Sequence, residues 1–167
     1  DTKSGERVSK VSCNTKALGL LDELNSFIGL CKVKSREEGS VLDVSLYDIL
    51  EGVQQNLFIV QAETAGDATK KIGKEKIQNA EAIIDAIEKE IPPIKSFTVV
   101  GGTELSALLD VARTIARRTE RALISLTDSG EREIGEDARA YANRLSSLLF
   151  ALARLVNHRA GVKEKSP

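Results

Sequence analysis

The chain has 167 residues, 41% hydrophobic and 29% charged, with 24 lysines and arginines against 25 aspartates and glutamates for a net charge of −1. That is enough chain for one domain with a real core, and the charge balance excludes a global attraction to nucleic acid or membrane, so any basic site must be a local cluster. Cys13 and Cys31 are the two cysteines and form no C-x-x-C pair, which implies reduced thiols and a cytoplasmic location, and no apolar run approaches the ~18 residues of a membrane span.

Helical periodicity runs through most of the chain. Residues 17–33 (ALGLLDELNSFIGLCKV) place Leu20, Leu21, Leu24, Phe27, Ile28 and Cys31 on one face and Asp22, Asn25, Ser26 and Gly29 on the other. Residues 34–44 read as a polar connection. From about Ser45 to Ala65, Leu46, Ile49, Leu50, Val53, Leu57 and Val60 recur at threes and fours. Two glycines in 66–73 break the pattern, and a third amphipathic helix over 74–91 stops at Pro92-Pro93. Residues 96–100 read as a short extended run before Gly101-Gly102. Thr103 is the expected N-cap of a fourth helix to about Leu126, the turn Asp128-Ser129-Gly130 follows, and a fifth helix spans about Ile134 to Arg159. Five helices with short connections predict an all-α, antiparallel five-helix bundle as one domain over 1–167, with an N-terminal segment at 1–16 and a fraying tail at 160–167.

The fourth helix carries ARTIARRTER, with four arginines and one glutamate in residues 112–121. At about 100° per residue, Arg113, Arg117, Glu120 and Arg121 fall in a stripe about 100° wide, Arg118 lies on the flank, and Leu108, Val111, Ile115, Ala116, Ala122 and Leu126 face the core. Like charges spaced i, i+4 repel, so a merely solvated face is better served by alternating signs. Guanidiniums on one stripe suit an anion with several oxygens, such as a polyphosphate, or carboxylates of a neighbouring helix or subunit. On the fifth helix Asn143, Ser147, Phe150 and Arg154 share a face, with Leu145, Leu149 and Leu152 opposite. Polar stripes on three helices are natural if they line a cleft. His158 lacks a glutamate three residues before it, and Glu51, Glu63, Asp67 and Asp85 show no metal-ligand spacing. No nucleophile elbow, H-E-x-x-H or P-loop occurs. The residues alone leave three readings open: a helical bundle with an anion site, a non-catalytic oligomeric helical bundle with an arginine-rich interface, and a polyanion binder. No aromatics interleave the arginines, which disfavours the last.

Four stretches, GERVSK (5–10), LDELNSFIGL (21–30), FTVVGGTELSALLDVARTIARRTER (97–121) and YANRLSSLLFALAR (141–154), together resemble the ATP:cob(I)alamin adenosyltransferases of the propanediol-utilisation type, in family order across nearly the whole chain. The resemblance implies a homotrimer of cobalamin-adenosyltransferase-like, ferritin-like bundles with the active site at each subunit boundary. It implies that Co(I) of a reduced corrinoid attacks the ribose C5′ of ATP, giving adenosylcobalamin and triphosphate.

By that resemblance Arg117, Arg118, Glu120 and Arg121 lie at the ATP segment, with Arg117, Glu120 and Arg121 as the catalytic group. Glu120 orients an arginine or helps hold Mg²⁺ beside the phosphates, Asn143 binds the nucleotide and Lys10 contacts phosphate. Arg113 and Asp22 match a salt bridge between subunits near the corrinoid. Phe97 matches the aromatic that crowds the lower corrin face and displaces the axial ligand. The implied partners are a corrinoid reductase and an adenosylcobalamin-dependent enzyme, with no nucleic acid and no membrane. Two departures stand out. The family's T-G-D-x-G-x-T phosphate loop, which falls just before the region matching Asp1–Arg7, is expected to precede Asp1. Ser147 takes the place of the aspartate in the family's N-R-L-S-D.

Overall fold

A computed structural model describes residues 12–94 and 96–165. Five helices account for most of it: α1 (Cys13–Lys34), α2 (Leu46–Thr64), α3 (Lys74–Glu90), α4 (Glu104–Asp128) and α5 (Glu136–Arg159). Each start has a local cause. Ser12, Ser45 and Thr103 take extended backbone and accept from the amides of Thr15, Asp48 and Ser106 at 3.1, 3.0 and 3.1 Å, which satisfies donors that the first helical turn leaves open. Helix α1 therefore begins at Cys13, four residues before its apolar periodicity does. Glu131 caps it further, accepting from the amides of Cys13 and Asn14 at 3.1 Å each. The N-terminus of α5 is capped from a distance, because buried Glu63 of α2 accepts from Gly135 at 2.9 Å.

The expected polar connection at 34–44 holds a small hairpin instead. Strands β1 (Ser40–Val41) and β2 (Val44–Ser45) pair antiparallel about Leu42 and Asp43, both at positive φ. No Asn-Gly or Asp-Gly advertises that turn, so the sequence pattern missed it. The expected extended run at 96–100 forms no strand.

Helix pairs α2·α1, α1·α4, α4·α5 and α5·α3 pack in that spatial order. Side-chain bridges give the directions. Lys32 meets Glu51 at 3.6 Å and Lys34 meets Glu104 at 2.9 Å, so α1 runs antiparallel to α2 and α4. Glu81–Arg144 at 3.2 Å and Glu90–Arg159 at 2.7 Å make α3 and α5 parallel neighbours. Consecutive helices thus alternate in direction, while the long connection 91–103 lets α3 lie beside α5 in the same sense.

The core is the expected Leu, Ile, Val and Ala, joined by Tyr141, whose hydroxyl accepts from Asn56 at 3.0 Å and whose burial pushes its pKa up to about 12. Leu109, Leu123, Leu149 and Leu152 are fully buried, and truncating one such leucine to alanine costs about 2–5 kcal/mol. Cys31 lies fully inside as well, its thiol pushed up to about 12 by burial, whereas Cys13 in the first turn of α1 is partly exposed. Two helical-wheel assignments fail, while Leu108 packs against the core partly buried. Val111, expected in the core, is 46% exposed. Asn25, expected on the polar face of α1, is buried. Its carbonyl accepts from Gln54 at 3.1 Å, and its Oδ1 finds no partner among the described residues.

Candidate functional site

The connection 91–103 leaves α3 at Pro92-Pro93, passes over the C-terminal half of α5 and enters α4 through the Thr103 cap. With α4 and α5 it borders an open cavity of about 640 Å³. Ile94, Phe97 and Val100 line one side, and Arg113 and Arg117 of α4 with Ser146, Ser147 and Phe150 of α5 line the other. Phe97 is 90% exposed. A phenylalanine standing in water at a cavity mouth is an unpaid hydrophobic contact and marks a place where something apolar docks.

Helix α4 orders the charged groups along its axis. Arg113 comes first: its Nε donates to Asp110 Oδ1 at 3.1 Å, and its guanidinium lies 5.8 Å from the centroid of the Phe150 ring. Asp110 is itself buried, so this arginine is held on two sides. One turn on, exposed Arg117 reaches the same cavity. The next group is Glu120, whose Oε1 accepts from Asn143 Nδ2 of α5 at 2.8 Å. Arg121 follows, exposed. Eight residues from Arg113 to Arg121 span about 12 Å of helix axis. The site therefore has an apolar end at Phe97 and Phe150 and a charged end at Glu120, Asn143 and Arg121, with Arg117 between them.

The other expected site residues separate in an informative way. Arg118 is turned toward α1, where its Nη2 donates to Glu23 Oε1 at 2.6 Å, so it belongs to the flank and not to the stripe. Asp22 is exposed on α1 and makes no hydrogen bond or ion pair among the described residues. It does not meet Arg113 within one protomer, since Arg113 takes Asp110. Ser147, expected to replace an aspartate, lines the cavity. Lys10 lies outside the described residues. Arg154, grouped with Asn143 by helical phase, is buried near the other end of α5, where it pairs with Glu164 and Pro92.

Two participants were not singled out from sequence. Asp110 sits three residues before Arg113, an i, i+3 spacing that signals such a pair. Asn157 binds the carbonyl of Gly101 at 3.0 Å through Nδ2 and the amide of Thr103 at 3.1 Å through Oδ1, and nothing in the sequence pattern marks it.

No cluster of three or more His, Cys, Asp or Glu that could hold a metal ion occurs among the described residues. Glu120 Oε2, free of hydrogen bonds among those residues, is the carboxylate oxygen available at the charged end. One carboxylate suits Mg²⁺ only when phosphate oxygens and water supply the rest of its octahedron.

The family model described as cobalamin adenosyltransferase matches residues 1–156. A corrinoid adenosyltransferase of Bacillus subtilis (strain 168) is 37% identical over 161 residues, covering 95% of this chain and 81% of that protein. The corrinoid adenosyltransferase PduO of Citrobacter freundii is 37% identical over 163 residues, but there the chain spans only 46% of the relative's length. Among solved structures, a variant PduO-type ATP:corrinoid adenosyltransferase from Lactobacillus reuteri complexed with cobalamin and ATP superposes with a TM-score of 0.86 at 31% identity, covering 99% of this chain and 92% of that one. Another variant of that type from the same organism, complexed with ATP, gives the same TM-score and identity over 100% and 94%.

Proposed function

The chain belongs to the cobalamin adenosyltransferase family, and we propose that it transfers the 5′-deoxyadenosyl group of ATP to the Co(I) of a reduced corrinoid, releasing triphosphate. The observation that carries this reading is the cleft bordered by Phe97, Arg113 and Arg117, continued along α4 by Glu120 and Arg121. An apolar mouth headed by Phe97 suits one face of a corrin ring, and about 12 Å along α4 from Arg113 a cationic end suits a phosphate chain.

In the reaction the Co(I) electron pair forms a bond to C5′, and the C5′–O bond breaks with its electrons passing to the triphosphate. Charge therefore accumulates on the leaving oxygen. Arg117 and Arg121 face that end, and fixed guanidiniums interact more strongly with the developing charge than with the ground state, which lowers the barrier. The Glu120–Asn143 bond fixes the amide of Asn143 in rotation, so the nucleotide meets a preset donor–acceptor face. Glu120 would hold Mg²⁺ together with the phosphates, and the ion would supply further charge neutralisation there. Phe97 keeps water and an axial donor from the lower face of the corrin, and removing a donor from cobalt eases its reduction to Co(I). Lys10 adds a phosphate contact. Arg118 acts at one remove, through Glu23 of α1.

We assign the working unit as a homotrimer in which Asp22 of one protomer meets Arg113 of the next. Exposed Leu30 and Val33 on α1 and Val111 on α4 support this, since Lys34–Glu104 sets those segments side by side as an apolar patch. Cytoplasmic residence, a corrinoid reductase as donor of Co(I) and an adenosylcobalamin-dependent enzyme as acceptor of product complete the proposal. No helix among the described residues is long and apolar enough to cross a membrane. The test is visible absorbance of Co(I) corrinoid mixed with ATP, Mg²⁺ and the protein. Appearance of the alkylcobalamin spectrum with stoichiometric triphosphate is the expected result, and consumption of neither substrate rejects the proposal.

A further inference from the structure

The apolar residues of the Phe97 segment have little packing of their own. Ile94, Phe97, Val99 and Val100 are 48%, 90%, 56% and 59% exposed, so no buried side chain among them anchors it. Beyond Ile91, which is buried, a stretch of this length without a further apolar anchor samples many conformers, because ordering each backbone residue costs about 1–2 kcal/mol. The segment is also tethered by hydrogen bonds, and several of those among the described residues come from the end of α5 and the chain beyond it.

After α5 the chain turns back at Gly161, which adopts φ +70, and Val162 donates to the carbonyl of Asn157 at 2.9 Å. Residues 162–165 then run beside the connection, contrary to the expected frayed tail. Val99 donates its amide to the carbonyl of Lys165 at 2.8 Å. Buried Arg154 clasps both strands of this arrangement. Its Nη2 donates to Pro92 O at 2.7 Å and to Glu164 Oε2 at 3.0 Å, while its Nε donates to Glu164 Oε1. Asn157 holds the far end at Gly101 and Thr103. Gly102 allows that contact, since any side chain there collides with Asn157.

We infer that residues 162–165, clasped by Arg154 through Glu164, form a strap that positions Phe97 over the cavity, making Arg154 and Glu164 positioning residues for the Co(II)-reducing half of the process. The inference rests on the reading of Phe97 as the residue that displaces the axial ligand. The strap is polar and lies at the surface, so its loss releases the segment without unpacking the bundle.

Glu164→Ala tests this, with Phe97→Ala as the reference variant. Amide hydrogen exchange at Val99 in the resting protein reads the strap without any corrinoid. Transfer to Co(II) corrinoid under a reductant, divided by transfer to pre-reduced Co(I), reads the position of Phe97. Glu164→Ala is expected to speed Val99 exchange about tenfold, the change that a lost charge-assisted hydrogen bond of about 1.5 kcal/mol gives. It should lower the Co(II)/Co(I) ratio in the direction of Phe97→Ala and leave the Co(I) rate within about twofold, with unchanged helical circular dichroism. Unaltered Val99 exchange overturns the strap. Faster exchange with an unaltered ratio, when Phe97→Ala does change it, overturns the positioning role. A Phe97→Ala ratio equal to that of the parent protein rejects instead the axial reading of Phe97, while the exchange result still decides the strap.

Discussion

The bond between Glu120 and Asn143 ties α4 to α5 at the charged end of the site, and it predicts that substitutions at the two positions are not independent. The bond is 2.8 Å long with one charged partner. Such bonds contribute about 1.5–3 kcal/mol when dry, and solvent screening reduces this to about 1 kcal/mol here, since Asn143 is exposed and Glu120 half-buried. On the proposed reading, Asn143→Ala removes a nucleotide contact and also leaves Glu120 free to rotate, so that its carboxylate no longer stands in register to hold Mg²⁺ beside the phosphates. Glu120→Gln removes the charge and loosens Asn143. Each alone lowers kcat/KM for ATP, but the double variant loses the mutual bond only once. The double-mutant cycle on kcat/KM, run with saturating Co(I) corrinoid, should therefore be sub-additive by about 1 kcal/mol, or roughly fivefold. Both side chains lie outside the core, so each variant should lose no more than the bond's own contribution of about 1 kcal/mol, a shift of a few degrees in Tm that leaves the protein folded under assay conditions. Additivity within about 0.3 kcal/mol in the folded variants refutes the idea that the pair acts as a unit.

Arg121→Ala should weaken turnover at limiting ATP by about ten- to a hundredfold, the loss expected for a guanidinium–phosphate contact, and steady-state kinetics varying ATP checks it. Asp22→Asn should raise the apparent KM for corrinoid more than that for ATP; a titration with the reverse order would move Asp22 to the nucleotide end. Glu131→Gln should flatten the acid limb of stability. The amides of Asn14 and Cys13 hold the Glu131 carboxyl below its ordinary value of 4.5. Folded protein therefore binds that proton less readily than unfolded protein, and the contribution is present above the ordinary carboxylate pKa and lost as pH falls through the folded value. Urea unfolding at pH 7 and at progressively lower pH should show the parent losing its advantage over Glu131→Gln below about pH 4.5.

The helices and the arginine stripe were readable from sequence because both depend on local repeat. Apolar spacing of three and four marks α1 to α5, and the same geometry puts Arg113, Arg117, Glu120 and Arg121 on one stripe. The mistakes share one cause: phase gives a direction around a helix, not what lies there. Arg154 has the phase of Asn143 and Phe150, but the returning tail covers it. Val111 has a core phase in a lone helix, but the bundle leaves it uncovered at the outer side of α4. Asn25 faces α2, which the sequence of α1 cannot indicate. Contacts such as Glu63 to Gly135 and Asn157 to Gly101 join residues 72 and 56 positions apart, and a local pattern carries no such signal.

The unequal burial of the two cysteines has a practical consequence. Cys31, with no exposed surface and a thiol held protonated, is silent toward alkylating dyes in the native protein, whereas Cys13 is open to them in the opening turn of α1. A maleimide fluorophore thus attaches at one known point of the unmodified sequence, a few residues from Lys10. If Lys10 contacts phosphate as proposed, the fluorophore's emission reports nucleotide arrival, and the moment Cys31 begins to label marks the unfolding of the bundle.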